Sequence, residues 1–175
     1  MQRRLKWVFV FSTFILGTVA YVGNVLATPA SGFTGTTLAV GRFGDIHVAN
    51  HVLPDGFSRS NEENLSLSWQ KTTGPSDLYV QSNVWTPGGT TGWHTHAGHS
   101  LIIVMAGAVT AYESDDPSCT PHIDTAGMGF VDPGGEHVHL LRNEGSIEAR
   151  TIAVQLIPAG AMRRIDAENS ASCPF

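Results

Sequence analysis

The chain's 175 residues suit one domain with a sizeable core. Only 14% of them are charged, and 19 glycines and 9 prolines punctuate segments rich in Val, Ile and Thr. That mixture favours a turn-rich β protein, and the formal charge of −5 argues against nucleic-acid and anionic-membrane partners.

The N-terminus reads separately from the rest. Arg3, Arg4 and Lys6 precede an apolar run from Trp7, and Val25-Leu26-Ala27 offers a small-residue cleavage site. Residues 1–27 thus have the three-part layout of a secretory signal peptide. An uncleaved anchor is the alternative, since Trp7–Ala27 is about long enough to span a bilayer. Ser12, Thr13, Gly17, Thr18, Gly23 and Asn24 dilute that run. Cleavage after Ala27 removes three of the ten basic residues and none of the fifteen acidic ones, leaving seven against fifteen, a formal −8. A secreted or cell-envelope protein with a small-molecule ligand is the resulting expectation, with membrane contact only through an uncleaved N-terminus.

Residues 28–37 are small and polar and read as a linker, with the barrel proper assigned to 38–160. A first strand is expected over Thr36–Val40 and a short second one over Ile46–Val48. Pro54-Asp55-Gly56 signals a turn, 58–64 a polar loop, and the alternation of Leu65, Leu67 and Trp69 with serines a half-buried strand. Asp77–Trp85 reads as a strand with Leu78, Val80, Ser82 and Val84 on one face and Tyr79, Gln81, Asn83 and Trp85 on the other. Thr86–Gly89 is expected to end it.

Further on, a turn is expected at Ala106-Gly107, a strand over Ala108–Tyr112 and an acidic loop over Glu113–Thr120. Gly127–Val131 and Glu136–Arg142 read as strands around the turn 132–135, and Ile147–Ile157 as the last long strand. Strands recurring at this spacing without an amphipathic helix suggest a sandwich or small barrel. Cys119 and Cys173, in an exported chain, read as one disulfide tying the 161–175 tail to the acidic loop.

Two glycine-led histidine pairs stand out. His94 and His96 follow Gly88-Gly89, and His137 and His139 follow Gly134-Gly135. On a strand, residues two apart share a face, and a barrel can bring such pairs together around one lumen. Imidazoles grouped in this way suit a transition metal. His47, His51 and His122 read as structural or exposed.

At this point the chain resembles the cupins. Their first motif runs Gly, five residues, His, one, His, three or four, Glu, six, Gly; Gly88, His94, His96 and Gly107 stand in register. Their second runs Gly, five, Pro, one, Gly, two, His, three, Asn; Gly127, Pro133, Gly135, His139 and Asn143 match, with one extra residue before His139. The resemblance implies an all-β double-stranded β-helix, the jelly-roll barrel, holding iron, manganese, nickel, zinc or copper, and often a homodimer. It implies His94, His96 and His139 as metal ligands. At the position of the motif glutamate stands Ser100, and the alternative spacing gives Leu101, so no carboxylate is available there. His99 is a candidate fourth ligand and His137 a weaker one. Asp132 and Glu136 are the nearest carboxylates in sequence, and their turn positions read as solvated.

Three neutral ligands leave coordination positions open, which is what metal catalysis requires. The leading expectation is therefore a metal-dependent small-molecule enzyme of dioxygenase or isomerase/lyase type, with Tyr79, Gln81, Asn83 and Trp93 as pocket wall. A non-catalytic ligand- or metal-binding protein is the alternative, and a metal-free structural barrel a third. No general acid or base is identifiable from the sequence.

Overall fold

Twelve β-strands and no helix make up the described residues of the computed structural model, which are 28–52, 66–168, 170, 172, 173 and 175. The segment 1–27, the turn at Pro54-Asp55-Gly56, the loop 58–64 and Leu65 lie outside them. Two antiparallel layers face each other. The first runs β1 (Ser31–Phe43), β4 (Ser76–Thr90), β11 (Ala149–Pro158), β6 (Ser100–Ala106) and β9 (Gly129–Asp132). The second runs β12 (Ile165–Asp166), β5 (His94–Thr95), β10 (His139–Arg142), β7 (Ala108–Glu113) and β8 (His122–Thr125). They join where Thr90 of β4 pairs with Arg142 of β10, which makes a nearly closed barrel. A hairpin of β2 (His47–Val52) and β3 (Ser66–Lys71) stands apart as its own two-stranded sheet.

Strict alternation sets the inside. On β6, Ser100, Ile102 and Val104 are at most 6% exposed, while Leu101, Ile103 and Met105 are at least 52% exposed. The same phase holds on β4, where Gln81, Asn83 and Trp85 oppose Ala153, Thr151 and Ala149 of β11. Trp85, Val109, Ala111, Leu141 and Ala149 form the barrel core, with Phe33 packed on it. Trp85, Leu141 and Phe33 also wall the cavity that polar side chains line inside the barrel.

A second cluster lies on the opposite face of β7 and β10. Trp93, Tyr112 and Leu140 are buried there together with Cys173. The C-terminal tail covers that face, and the Cys119–Cys173 disulfide holds it there with Cα atoms 5.3 Å apart.

Several boundaries differ from the sequence expectation. The expected 28–37 linker and Thr36–Val40 strand are one long strand from Ser31, because β1 pairs with β4 almost end to end. The periodicity there is weak because the strand is largely exposed and needs few apolar residues. Thr86–Gly89 does not end β4, which runs on to Thr90. Pro87 is tolerated there because the ladder to β1 shifts between Trp85 and Thr90, where no N–H is required of it. Conversely, Glu136–Val138 is not strand. Gly134 and Gly135 both take positive φ, and the His137 N–H turns back to the Gly134 carbonyl. Finally, β8 forms beyond the acidic loop by pairing with β7, which a four-residue exposed segment gave no sign of.

Candidate metal centre

His94 and His139 are direct cross-strand partners in the β5–β10 pairing. His96 follows β5, and the three rings converge with centroids 4.5 Å (His94–His139), 4.8 Å (His94–His96) and 5.5 Å (His96–His139) apart. One ring nitrogen from each lies within 4.8 Å of the others. The two histidine segments meet because backbone clamps them together. The Gly135 N–H donates to the His96 carbonyl at 2.7 Å, and Thr95 Oγ1 donates to the Gly135 carbonyl at 2.7 Å. Gly134 permits this approach, since a Cβ there would lie 2.3 Å from the Gly98 carbonyl oxygen.

Burial decides the protonation of two rings. Burial first, and then the neighbouring His139, pushes His94 down to about 2. Burial likewise pushes His139 down to about 4 against the opposing pull of Asp132. Both are therefore neutral at pH 7, the form in which imidazole ligates metals. The His94 Nδ1–H donates to the Gly92 carbonyl at 2.9 Å, and His96 Nδ1 donates to the Arg163 carbonyl. With Nδ1 committed, Nε2 is the nitrogen each ring leaves for a ligand, which is the orientation backbone carbonyls impose on metal-ligating histidines. His139 Nδ1 is buried with no hydrogen-bond partner. A pre-oriented, partly unsatisfied trio of this kind, two of its rings neutral, fits a divalent transition metal.

The centre lines a cavity of about 270 Å³. One wall is a chain of side-chain hydrogen bonds. Arg163 Nη2 donates to Gln81 Oε1 at 2.6 Å, Gln81 Nε2 to Asn83 Oδ1 at 2.5 Å, and Asn83 Nδ2 to Thr151 Oγ1 at 3.2 Å. Phe33, Trp85, Ile102 and Leu141 supply an apolar wall. Gln81 and Asn83 are thus pocket residues as expected, whereas Trp93 is buried in the cluster under the tail. Tyr79 serves indirectly, its ring lying 4.1 Å from the Arg163 guanidinium carbon.

The other sequence candidates fall elsewhere. His99 lines a separate depression with Gln70, Pro75 and Leu156, because it occupies the opposite phase to Ser100 at the start of β6. His137 pairs with Glu113, Nε2 to Oε2 at 2.6 Å, and stacks on His139 at 5.8 Å. His47 and His122 are exposed, and the His51 side chain lies outside the described residues. The solvated reading of Asp132 is overturned: it is 4% exposed, sits in the cavity wall, and forms with His137 and His139 a second group of close ligand atoms. Arg163, Arg164, Gln155 and Thr91 also line the cavity. Sequence reasoning missed the arginines because the tail after Pro158 has no periodicity; two adjacent arginines in a net acidic chain were the only signal.

No protein-family model matches the chain. No curated protein matches it either. Similar solved structures include a polyketide cyclase from Streptomyces resistomycificus, 16% identical over 85% of this chain and 82% of that one, with a TM-score of 0.49. An oxalate oxidase is 24% identical over 47% of this chain and 46% of its own, so the match spans about half its length, with a TM-score of 0.39. A cupin superfamily protein from Desulfitobacterium hafniense is 14% identical over 46% of this chain and 67% of that one, with a TM-score of 0.40. The architecture here, a nearly closed antiparallel barrel without helices among the described residues, is the one implied by the cupin resemblance of the sequence.

Proposed function

We propose that this chain is an exported metal-binding barrel that acts on a small molecule at a centre made by His94, His96 and His139. One observation carries the proposal: three imidazoles from two segments converge on a cavity of about 270 Å³, with two of them held Nδ1-first by backbone carbonyls. A bound divalent ion (iron, manganese, nickel, zinc or copper) supplies Lewis-acid or oxygen-activating chemistry. The reaction class supported by that combination is a dioxygenase or an isomerase/lyase.

The chain's own residues select the ligand. The Arg163–Gln81–Asn83–Thr151 chain fixes its amides in one orientation, so it recognises oxygen functions at set positions. The wall formed by Phe33, Trp85, Ile102 and Leu141 accepts an apolar body and keeps water from it. Export rests on the 1–27 signal layout, and the disulfide agrees with an oxidising compartment. Among the described residues, no helix is long and apolar enough to cross a membrane. Leu101, Ile103, Met105 and Val131, each more than half exposed on the outer face of β6 and β9, support a homodimer through that face.

The experiment is metal analysis of protein purified from the exported fraction, followed by turnover screening of diketones, flavonoids, thiols and sulfonium compounds. Near-stoichiometric metal with turnover supports the enzyme. Stoichiometric metal with ligand binding but no turnover moves the assignment to a non-catalytic binding barrel. Metal well below one ion per chain overturns both.

A further inference from the structure

Besides the histidines, three charged side chains line the cavity: Asp132, Arg163 and Arg164. Arg164 donates from Nε to Asp166 Oδ1 at 2.5 Å, and Asp132 lies against His96 and His139. Arg163 is different. Among the described residues, the arginines in ion pairs are Arg42, Arg142, Arg150 and Arg164. Arg163 is half-buried and meets no carboxylate.

Neutral groups hold its guanidinium instead. Nε donates to Gln155 Oε1 at 3.1 Å, Nη1 to Thr37 Oγ1 at 2.8 Å and Nη2 to Gln81 Oε1 at 2.6 Å. The Tyr79 ring lies 4.1 Å from the guanidinium carbon. Burial pushes this group below the ordinary arginine value, and the opposing pull comes from Tyr79. A cation is thus partly desolvated without an anion to offset it, in a chain of fifteen acidic and ten basic residues.

Backbone fixes the same residue beside the histidine segment. The Arg163 carbonyl accepts from Gln155 Nε2 at 3.2 Å and lies against His96 Nδ1. Two residues on, Ile165 and Asp166 pair with Thr95 and His94. A guanidinium carries five N–H groups, of which three are committed here. One remains on Nη1 and one on Nη2. These neutral partners set the direction of the fork and leave its charge intact, as recognition of a carboxylate requires.

We propose that Arg163 anchors the carboxylate of a small monoanionic ligand whose apolar body lies against Phe33, Trp85, Ile102 and Leu141. The inference rests on the small-molecule reading above and names the ligand class; it does not need the metal. One unopposed cation matches one negative charge. A dianion would meet Asp132 in the same cavity, and like charges placed together are costly.

The test is calorimetry on the full chain after chelator treatment, so that no metal takes up the carboxylate. Benzoate, phenylacetate and 3-methylbutanoate are each compared with the matching neutral amide. Wild type is expected to bind at least one acid about tenfold or more tighter than its amide, the range of a hydrogen bond to a charged group. Arg163→Gln is expected to lose that preference while holding the amide as before. Arg163→Lys keeps the charge without the fork and should fall between the two. A merely structural role would weaken acid and amide alike, and that outcome overturns the proposal. So does a wild type that prefers no acid over its amide, or an Arg163→Gln protein that keeps the preference. If Arg163→Gln does not fold, Arg163→Lys decides: a reduced preference supports the proposal and an unchanged one overturns it. Zn²⁺ titration of wild type decides the three-histidine reading separately. Acid and amide binding equally well leaves the small-molecule reading standing and removes only the Arg163 role.

Discussion

His94 and His139 face each other across one backbone-paired position of β5 and β10, with ring centroids 4.5 Å apart. Cross-strand partners are held at a fixed separation by the ladder itself, so this pair does not depend on loop conformation. His96 joins them through the Arg163 carbonyl and the Gly135 clamp. The three imidazoles of the candidate centre are therefore held together by backbone contacts.

Replacing any of the three should remove the metal, while replacing His99 should not. His94→Ala and His139→Ala are expected to weaken Zn²⁺ by at least about 100-fold, more than an outer-shell loss. His99→Ala is expected to bind as wild type, because His99 opens onto a different depression. Calorimetric titration of chelator-stripped protein measures all three.

Metal-free protein should lose stability on mild acidification. The folded-state value of His139 is depressed to about 4 by burial, against an unfolded value near 6.5. The unfolded chain therefore takes up a proton that the folded one refuses. Stability is full above pH 6.5 and falls as pH drops toward 4, by on the order of 3 kcal/mol for this group alone. His94, depressed further to about 2, extends the decline below pH 4. Urea unfolding at pH 7, 6, 5 and 4 reads the slope, and His139→Gln should reduce it, His94 supplying the remainder. A stability that stays constant from pH 7 to 4 would show both rings to be solvated.

Opening the disulfide should uncover the outer face of β7 and β10. Cys119 and Cys173 are 54 residues apart in sequence, and the cross-link is worth roughly 4 kcal/mol by the loop-entropy account. Cys119→Ser with Cys173→Ser is expected to lower Tm by roughly 10 °C, and to admit a hydrophobic dye where Trp93, Tyr112 and Leu140 lie under the tail. Metal binding should survive, since the centre lies on the lumen side.

Asn143 should matter for stability and not for chemistry. It is fully buried and donates to the Trp85 carbonyl at 3.1 Å and the Ile147 carbonyl at 2.7 Å, while accepting from the Gly145 N–H at 3.0 Å. Asn143→Ala leaves three backbone groups without partners, and about 2–4 kcal/mol of destabilisation is expected in denaturant unfolding. Zn²⁺ affinity of the protein that remains folded should be unchanged.

A charge on the outer face should change the oligomeric state. Ile103→Lys on β6 is expected to give monomer by sedimentation at concentrations where the wild type is dimeric, with Zn²⁺ binding intact. Wild-type monomer at high micromolar concentration would remove the homodimer from the proposal.

Period-two alternation, glycine turns and the two histidine pairs were visible in the chain because they are local. A turn needing positive φ is written as glycine at 107, 134 and 135, whereas the unbroken apolar run of β6 shows which residues face inward only in the barrel. The long pairing of β1 was not visible, because an exposed strand carries no apolar period and is defined by its partner. His99 was a ligand candidate because it stands one residue before Ser100, the place of the motif glutamate. Strand phase puts it outside the lumen.

By itself, the sequence determined the fold class and the disulfide partners, and it marked three histidines for a candidate centre. Only the tertiary structure decided the surroundings of that centre. Ligand geometry depends on which strands lie side by side, and neighbours in a sheet can be distant in sequence. That is why Asp132, the cross-strand partner of Ser100, read as a solvated turn residue in the chain and stands beside His96 in the barrel.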